Sequence, residues 1–323
     1  VPSNTLSCEV KSVALAICDG FAGPIATKVK SLIAAELWDE LSSLVVHPGS
    51  YKTAEEYFRD VACASFLRKY EPLPTTIDRK KVARDKFFSA ERNCFRTNQR
   101  LDRFIYGDHS PEDEPIAEFF QSVREEVSIL IGHSPPSNPA GRFGPGSTYS
   151  DVASLATIPD KMQSVPELTR DALYFLVPWG GTLWAKASAA RGDSISFQRG
   201  NRFTTVPKDC TTDRGISIEC SINLFYQLAY GTAIRETLKK STCHRLVLGE
   251  MQSIHRRVAR EASITGQFAT MDITQASDHV SRSLVKLLLP RRWYEPLNDL
   301  RSPVTDIQVE NGEERSIVLE KFS

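Results

Sequence analysis

Apolar residues recur at helical spacing through much of the first half of the chain. In residues 29–45, VKSLIAAELWDELSSLV, Leu32, Leu37 and Leu41 sit among spaced polar positions and predict one surface helix. Residues 81–104 carry the longest such pattern. Ala83, Phe87, Cys94, Asn98 and Leu101 track one side, and Phe88 and Phe95 widen the stripe. The other side holds Lys81, Arg84, Arg92, Arg96, Arg100 and Arg103, which reads either as a solvated face or as a wall for RNA or a partner. Residues 114–132 predict another amphipathic helix, with Pro115 in its first turn and Gly132 at its end. Its expected buried stripe is Ile116, Phe119, Phe120, Val123, Val127 and Leu130.

The helical period then fails. Residues 133–150, HSPPSNPAGRFGPGSTYS, hold four prolines and three glycines and predict an ordered loop or a linker. Arg142 within it reads equally as a phosphate contact or an ordinary surface arginine. Residues 169–188 predict a helix stopped near Pro178, and residues 194–208 two short strands around Arg199-Gly200-Asn201. Helix returns over 221–240, with Leu224, Leu228 and Leu238 a turn or more apart. Residues 268–290, FATMDITQASDHVSRSLVKLLLP, predict a strand, a tight corner and a helix. Phe268, Thr270 and Asp272 alternate with Ala269, Met271 and Ile273, after which Ala276, Val280, Leu284, Leu287 and Leu288 form a helical stripe. Residues 304–322 predict a hairpin turned at Asn311-Gly312. The sum is an α+β chain, mostly helical in its first half.

Composition changes this picture little. A chain of 323 residues suits one large domain or two modest ones. Lys+Arg and Asp+Glu are both 40, so bulk charge names no partner. Residues 201–260 hold ten Lys/Arg against five Asp/Glu, a local basic excess. Seven cysteines without a C-x-x-C pair point to free thiols in a reducing compartment. No membrane span or secretory leader is expected. His244, His255 and His279 have no cysteine partners at zinc-ligand spacing and read as structural or solvated.

Two places concentrate candidate chemistry. Asp272 stands at a strand end and Asp278 at the mouth of the following helix. A divalent cation would keep such a strand-end carboxylate ionised, so metal chemistry is one reading of Asp272 and capping plus solvation the other. Asp278 reads as a helix cap or as a hydrogen-bonding group for a ligand. In FTTVPKDCTTDRG, residues 203–215, a strand delivers Val206-Pro207 and then Lys208 and Arg214 stand on a polar loop. They form either a triphosphate clamp or surface ion pairs with Asp209 and Asp213.

The stretches KFFSAERNCFRTNQRL (86–101), GRFGPGST (141–148), TVPKDCTTDRGISIE (205–219), ATMDITQASD (269–278) and LLLPRRWYEPLNDLRSP (287–303) carry a resemblance. Through them the chain resembles the replicase subunit of single-stranded RNA bacteriophages, the Leviviridae, most strongly from Thr205 to Ser323. The resemblance implies an RNA-directed RNA polymerase with a right-hand fold. Residues 1–260 would form fingers with an N-terminal helical extension, and residues 261–323 a partial palm. It implies that Asp272 is the catalytic carboxylate and a metal ligand, with the Ile273 carbonyl completing a shell for Mg²⁺ or Mn²⁺. It assigns Asp278 to the ribose of the incoming nucleotide and Lys208 and Arg214 to its triphosphate, with Arg202 and Glu219 in support. The implied partners are template and product RNA, ribonucleoside triphosphates, host elongation factors Tu and Ts, and ribosomal protein S1, in the host bacterial cytoplasm.

One departure qualifies the resemblance. The sequence has no Gly-Asp-Asp; Gly-Asp occurs at 107–108 and in RGDS, 191–194, both upstream of Asp272. The rest of the palm and the thumb are therefore expected on a further polypeptide segment, from a longer or a split replicase. The 323-residue chain alone is expected to be inactive or nearly so. Two other readings stay open: a non-catalytic RNA-binding or scaffold protein derived from polymerase fingers, and a metal-dependent hydrolase of unrelated fold.

Overall fold

The computed structural model describes residues 6–151, 156–269, 271, 273–309 and 312–322. The chain divides into two compact units, one of residues 1–87 with 204–216 and one of residues 88–203 with 217–323.

The first unit is built on α1 (Cys8–Asp19), α2 (Pro24–Ala34), α3 (Trp38–Ser43), α4 (Ala54–Ser65) and the start of α5 (Arg79–Tyr106). Pro24 opens α2, where its missing N–H costs nothing. Ala26, Val29, Leu32 and Ile33 then recur at helical spacing and are buried against Cys18, Trp38, Leu41 and Cys63. The single helix predicted over 29–45 is broken. Glu36 adopts a left-handed conformation with φ of 57°. Its N–H bonds the Ile33 carbonyl and the Leu37 N–H bonds the Leu32 carbonyl, a Schellman stop without its usual glycine. Lys11 holds the stop from outside, donating to the Ala34 carbonyl at 3.3 Å and to Glu36 at 2.9 Å. The break lets Trp38 and Leu41 reach the core.

The second unit contains the rest of α5, then α6 (Glu114–Ile131), α7 (Ile158–Gln163), β1 (Glu167–Thr169), α8 (Leu176–Gly180), α9 (Leu183–Arg191) and β2 (Ser196–Gln198). After β3 (Asn201–Asp209) and β4 (Thr212–Ile218) come α10 (Ser221–Ser241), α11 (Met251–Thr265), α12 (Arg282–Leu288), α13 (Arg291–Leu300), β5 (Val304–Gln308) and β6 (Glu314–Val318). The core stripe of α10 is Ile222, Phe225, Tyr226, Ala229 and Tyr230, at successive i+3 and i+4 steps. It packs with Leu168, Trp179, Trp184, Trp293 and Leu300. Asn223 lies on the same buried side because it has work there. Its Oδ1 accepts from the Thr169 N–H, and its Nδ2 donates to the Thr169 hydroxyl and the Leu300 carbonyl.

The sheet order is β4-β3-β5-β6. β3 runs parallel to β5 with Asn201 opposite Thr305 and Arg202 opposite Asp306. β5 and β6 form the predicted hairpin, Val304 opposite Val318 through Gln308 opposite Glu314. Of the turn predicted for it, Asn311 lies outside the described residues, and Gly312 has φ of 75°. β1 and β2 make a separate parallel pair.

Helices α5, α6 and α10 form where the periodicity predicts them, but Phe95 of α5 is exposed and Leu224 and Leu228 of α10 are only half-buried beside its core stripe. Pro178 does not stop a helix: it sits in the first turn of α8, where proline is tolerated, after a 3-10 segment from Arg170 to Phe175. On α6, Ile116 and Phe119 are exposed rather than buried, while Ser128 and Ile131 face the core. The predicted strand at 268–273 is not seen among the described residues there, and Met271 and Ile273 are exposed. The following helix begins at Arg282 instead of 276, because Ser277–His279 forms a 3-10 turn and Ser281 supplies the cap.

Candidate functional site

The basic pair is carried by strands. Lys208 is in β3 and Arg214 in β4, joined by the two-residue turn Cys210-Thr211, so the predicted polar loop is a hairpin. Its end is anchored within the first unit. The Cys210 N–H bonds the Arg68 carbonyl at 3.0 Å, the Cys210 carbonyl accepts from the Thr75 hydroxyl at 3.1 Å, and Lys86 donates to the Thr212 hydroxyl at 3.1 Å.

The two acids that might have neutralised the cations are engaged elsewhere. One carboxylate oxygen of Asp209 accepts from the Thr211 N–H, the Thr211 hydroxyl and the Thr212 N–H, each within 3.0 Å. Burial opposes ionisation of Asp209, but these hydrogen bonds outweigh it and hold the carboxyl below its usual range. Asp213 is buried with its Oδ1 at 3.7 Å from Arg79. Lys208 and Arg214 are exposed and have no ion-pair partner among the described residues.

Arg202 and Glu219 lie in the second unit, at the root of the same strands. Arg202 donates to the Tyr149 carbonyl at 3.0 Å and stacks over the Tyr149 ring at 5.0 Å. The Tyr149 hydroxyl donates to Asp306 at 3.3 Å. Burial, then the Asp306 charge, pushes the Tyr149 phenol upward. Glu219 accepts from Asn201 Nδ2 at 2.7 Å and from the Ser302 hydroxyl at 2.5 Å. Burial raises its pKa, opposed by those two bonds. Its carboxylate thus ties the start of β3 to Ser302, two residues before β5.

Asp272 lies outside the described residues. Asp278 falls in the 3-10 turn Ser277–His279, and its carboxylate does not cap α12. Ser281 does so, accepting from the Leu284 N–H. Asp278 Oδ1 instead accepts from Lys321 Nζ at 3.0 Å. The motif reading missed Lys321. Its sequence signal is alternation: Leu319 and Lys321 are both buried two residues apart, so a lysine occupies an inward position.

A divalent-cation site does not fit the described residues by themselves. They contain no group of three or more His, Cys, Asp or Glu side chains placed to hold a metal. Asp278, one of the two carboxylates of this stretch, already faces an ammonium.

Comparison with known proteins follows the same lines. The RNA-directed RNA polymerase subunit beta of Enterobacteria phage SP is 34% identical over 258 residues, covering 76% of this chain and 41% of that protein. The RNA-directed RNA polymerase subunit beta of Escherichia virus Qbeta is also 34% identical over 258 residues, covering 78% and 41%. The RNA-directed RNA polymerase beta chain of Escherichia phage MS2 is 28% identical over 299 residues, covering 92% and 50%. The aligned part is thus about two fifths of the length of the first two relatives. A family profile described as RNA replicase, beta-chain, matches residues 23–323. With nearly the whole sequence inside that match, the chain belongs to the RNA replicase beta-chain family.

Proposed function

We propose that this chain forms part of an RNA-directed RNA polymerase that copies a phage genome, and that the β3–β4 hairpin presents Lys208 and Arg214 to the nucleotide triphosphate. The observation that carries the reading is the exposure of two cations on adjacent strands while their neighbours Asp209 and Asp213 are held by other groups. Charge-assisted bonds to phosphate oxygens are the strongest use of such a pair. An RNA 3′ hydroxyl would attack the nucleotide α-phosphate and release pyrophosphate. Lys208 and Arg214 would hold the phosphates in line while negative charge shifts toward the leaving group.

In this reading Asp278 accepts a hydrogen bond from the ribose. Arg202 and Glu219 set the root of the hairpin. Asp272 and the Ile273 carbonyl are the chain's contribution to a Mg²⁺ or Mn²⁺ site. Residues 1–260 act as fingers and 261–323 as the first part of the palm of a right-hand polymerase. Its partners are template and product RNA, ribonucleotides, the segment bearing the remaining palm and thumb, elongation factors Tu and Ts and ribosomal protein S1, in the host bacterial cytoplasm. Among the described residues no helix is long and apolar enough to cross a membrane.

The test uses an assembled replicase containing this chain. Lys208→Ala and Arg214→Ala should each raise the nucleotide KM or lower kcat by about tenfold, the value of one charge-assisted bond of ~1.5 kcal/mol. RNA binding should change much less. Variants that lose template binding but use nucleotides normally would show that the hairpin faces RNA, and the triphosphate assignment would fall.

A further inference from the structure

Lys321 reaches Asp278 across 43 residues of sequence, and its ammonium donates to Oδ1 at 3.0 Å. The two side chains differ in setting: Lys321 is 8% exposed and Asp278 is 40% exposed. A buried cation is rare unless its environment is arranged for it. Here it holds one oxygen of a carboxylate that is open to solvent. Asp278 Oδ2 has no bond to any described residue.

Both members of the pair are fastened to α5. On the lysine side, Glu91 accepts from the backbone N–H groups of Glu320 at 2.6 Å and Lys321 at 3.4 Å. Asn98 donates to the Glu320 carbonyl at 2.9 Å, and the Phe322 N–H bonds the Val280 carbonyl at 2.8 Å. Ser281 and Lys321 form an antiparallel bridge. On the aspartate side, the Cys94 thiol donates to the Asp278 carbonyl at 3.4 Å, and the Asp278 N–H bonds the Gln275 carbonyl at 3.1 Å. A carboxylate on a short 3-10 turn has rotational freedom of its own. This scaffold, ending in one ion pair, removes much of it.

We propose that Lys321 is a specificity-determining positioning residue: by occupying Oδ1 it turns Asp278 so that Oδ2 accepts a hydrogen bond from a ribonucleotide 2′-hydroxyl. The inference rests on the assignment of Asp278 to the ribose. A deoxyribonucleotide leaves that oxygen without its donor. Sites built to bond a hydroxyl reject the analogue lacking it because their own polar group is then stranded. Lys321 touches no substrate in this scheme and acts through Asp278.

The experiment measures kcat/KM for ATP and for dATP in an assembled replicase carrying Lys321→Met, Lys321→Gln, Lys321→Arg, Asp278→Asn and the Lys321→Met/Asp278→Asn pair. Melting temperature is recorded alongside. The ribonucleotide preference should fall about tenfold in the Met and Gln variants and at least as far in Asp278→Asn. Arginine, which keeps the charge, should restore most of it. The double variant should be no less selective than Asp278→Asn alone, because the lysine acts through that carboxylate. A structural role through Glu91 would lower the melting temperature and leave the ATP/dATP ratio unchanged. If the Met variant does not fold, the Gln variant supplies the ratio. Asp278→Asn shifting the ratio while a folded Lys321 variant keeps it would overturn the role of Lys321 and spare Asp278. An unchanged ratio in Asp278→Asn would overturn both.

Discussion

Gly200 is the position where one added methyl group should do most damage. It precedes β3, and Cys220 donates its thiol to the Gly200 carbonyl at 3.6 Å. A Cβ built there would lie 1.8 Å from the Val304 carbonyl oxygen and 2.7 Å from its carbon. Real Cβ contacts are essentially never under 3.0 Å, so Gly200 and β5 must part by more than 1 Å. The obstacle is backbone and has no rotamer to change. The separation falls beside the two parallel pairs Asn201–Thr305 and Arg202–Asp306. Overpacking costs ~1–3 kcal/mol, and each ladder hydrogen bond lost adds ~1 kcal/mol. Gly200→Ala should therefore destabilise the second unit by ~2–4 kcal/mol, a fall in Tm of roughly 5–15 °C for a domain of this size. The matched control is Gly231→Ala, inside α10, where a Cβ meets nothing within 4 Å. It should stabilise by ~0.5–1 kcal/mol, because glycine is a poor helix former. Thermal unfolding followed by far-ultraviolet circular dichroism reads both variants. Equal melting temperatures for Gly200→Ala and the parent would refute the clash, and with it the close approach of Gly200 to β5.

Three further outcomes are expected. Asn223→Ala strands the buried Thr169 N–H, while the Leu300 carbonyl keeps its bond from Gln227, so it should cost ~1–3 kcal/mol in chemical denaturation; a loss under ~0.5 kcal/mol would mean the Thr169 N–H finds another partner. Burial raises the pKa of Glu219, so the folded state holds its proton more tightly than the unfolded chain; the contribution of Glu219 to stability is fully present below the ordinary glutamate range and is lost as pH rises through the folded pKa. Glu219→Gln should flatten that decline, and identical pH slopes for parent and variant would contradict it. Cys8 and Cys243 are exposed and should react quickly with a thiol reagent at mildly alkaline pH. The buried thiols should wait for unfolding, with burial pushing Cys63 up to about 12 and Cys94 up to about 11; rapid labelling of either would show that its surroundings open readily.

The helices most legible in the sequence are those with a local periodic signal. α5 and α6 each repeat an apolar contrast over many turns, α10 is a long run free of helix breakers apart from Gly231, and the terminal hairpin alternates around Asn311-Gly312. The same local reading brought Lys208, Arg214, Asp272 and Asp278 forward as candidates, because charge at the margin of an apolar run is visible along the chain. Which of those charges stay open is decided by residues distant in sequence. Arg79 and the turn at Thr211-Thr212 occupy the two acids beside Lys208 and Arg214. The split at Glu36 depends on Lys11 closing over the end of α2. Alternation suggested a strand before Asp278, a stretch in which Thr270 and Asp272 lie outside the described residues. Ser281 took the cap assigned to Asp278, and Lys321 met the freed carboxylate from 43 residues away. A side-chain period tells a segment which face to bury; the partner that meets that face, and the charge that remains unpaired, are properties of the folded chain.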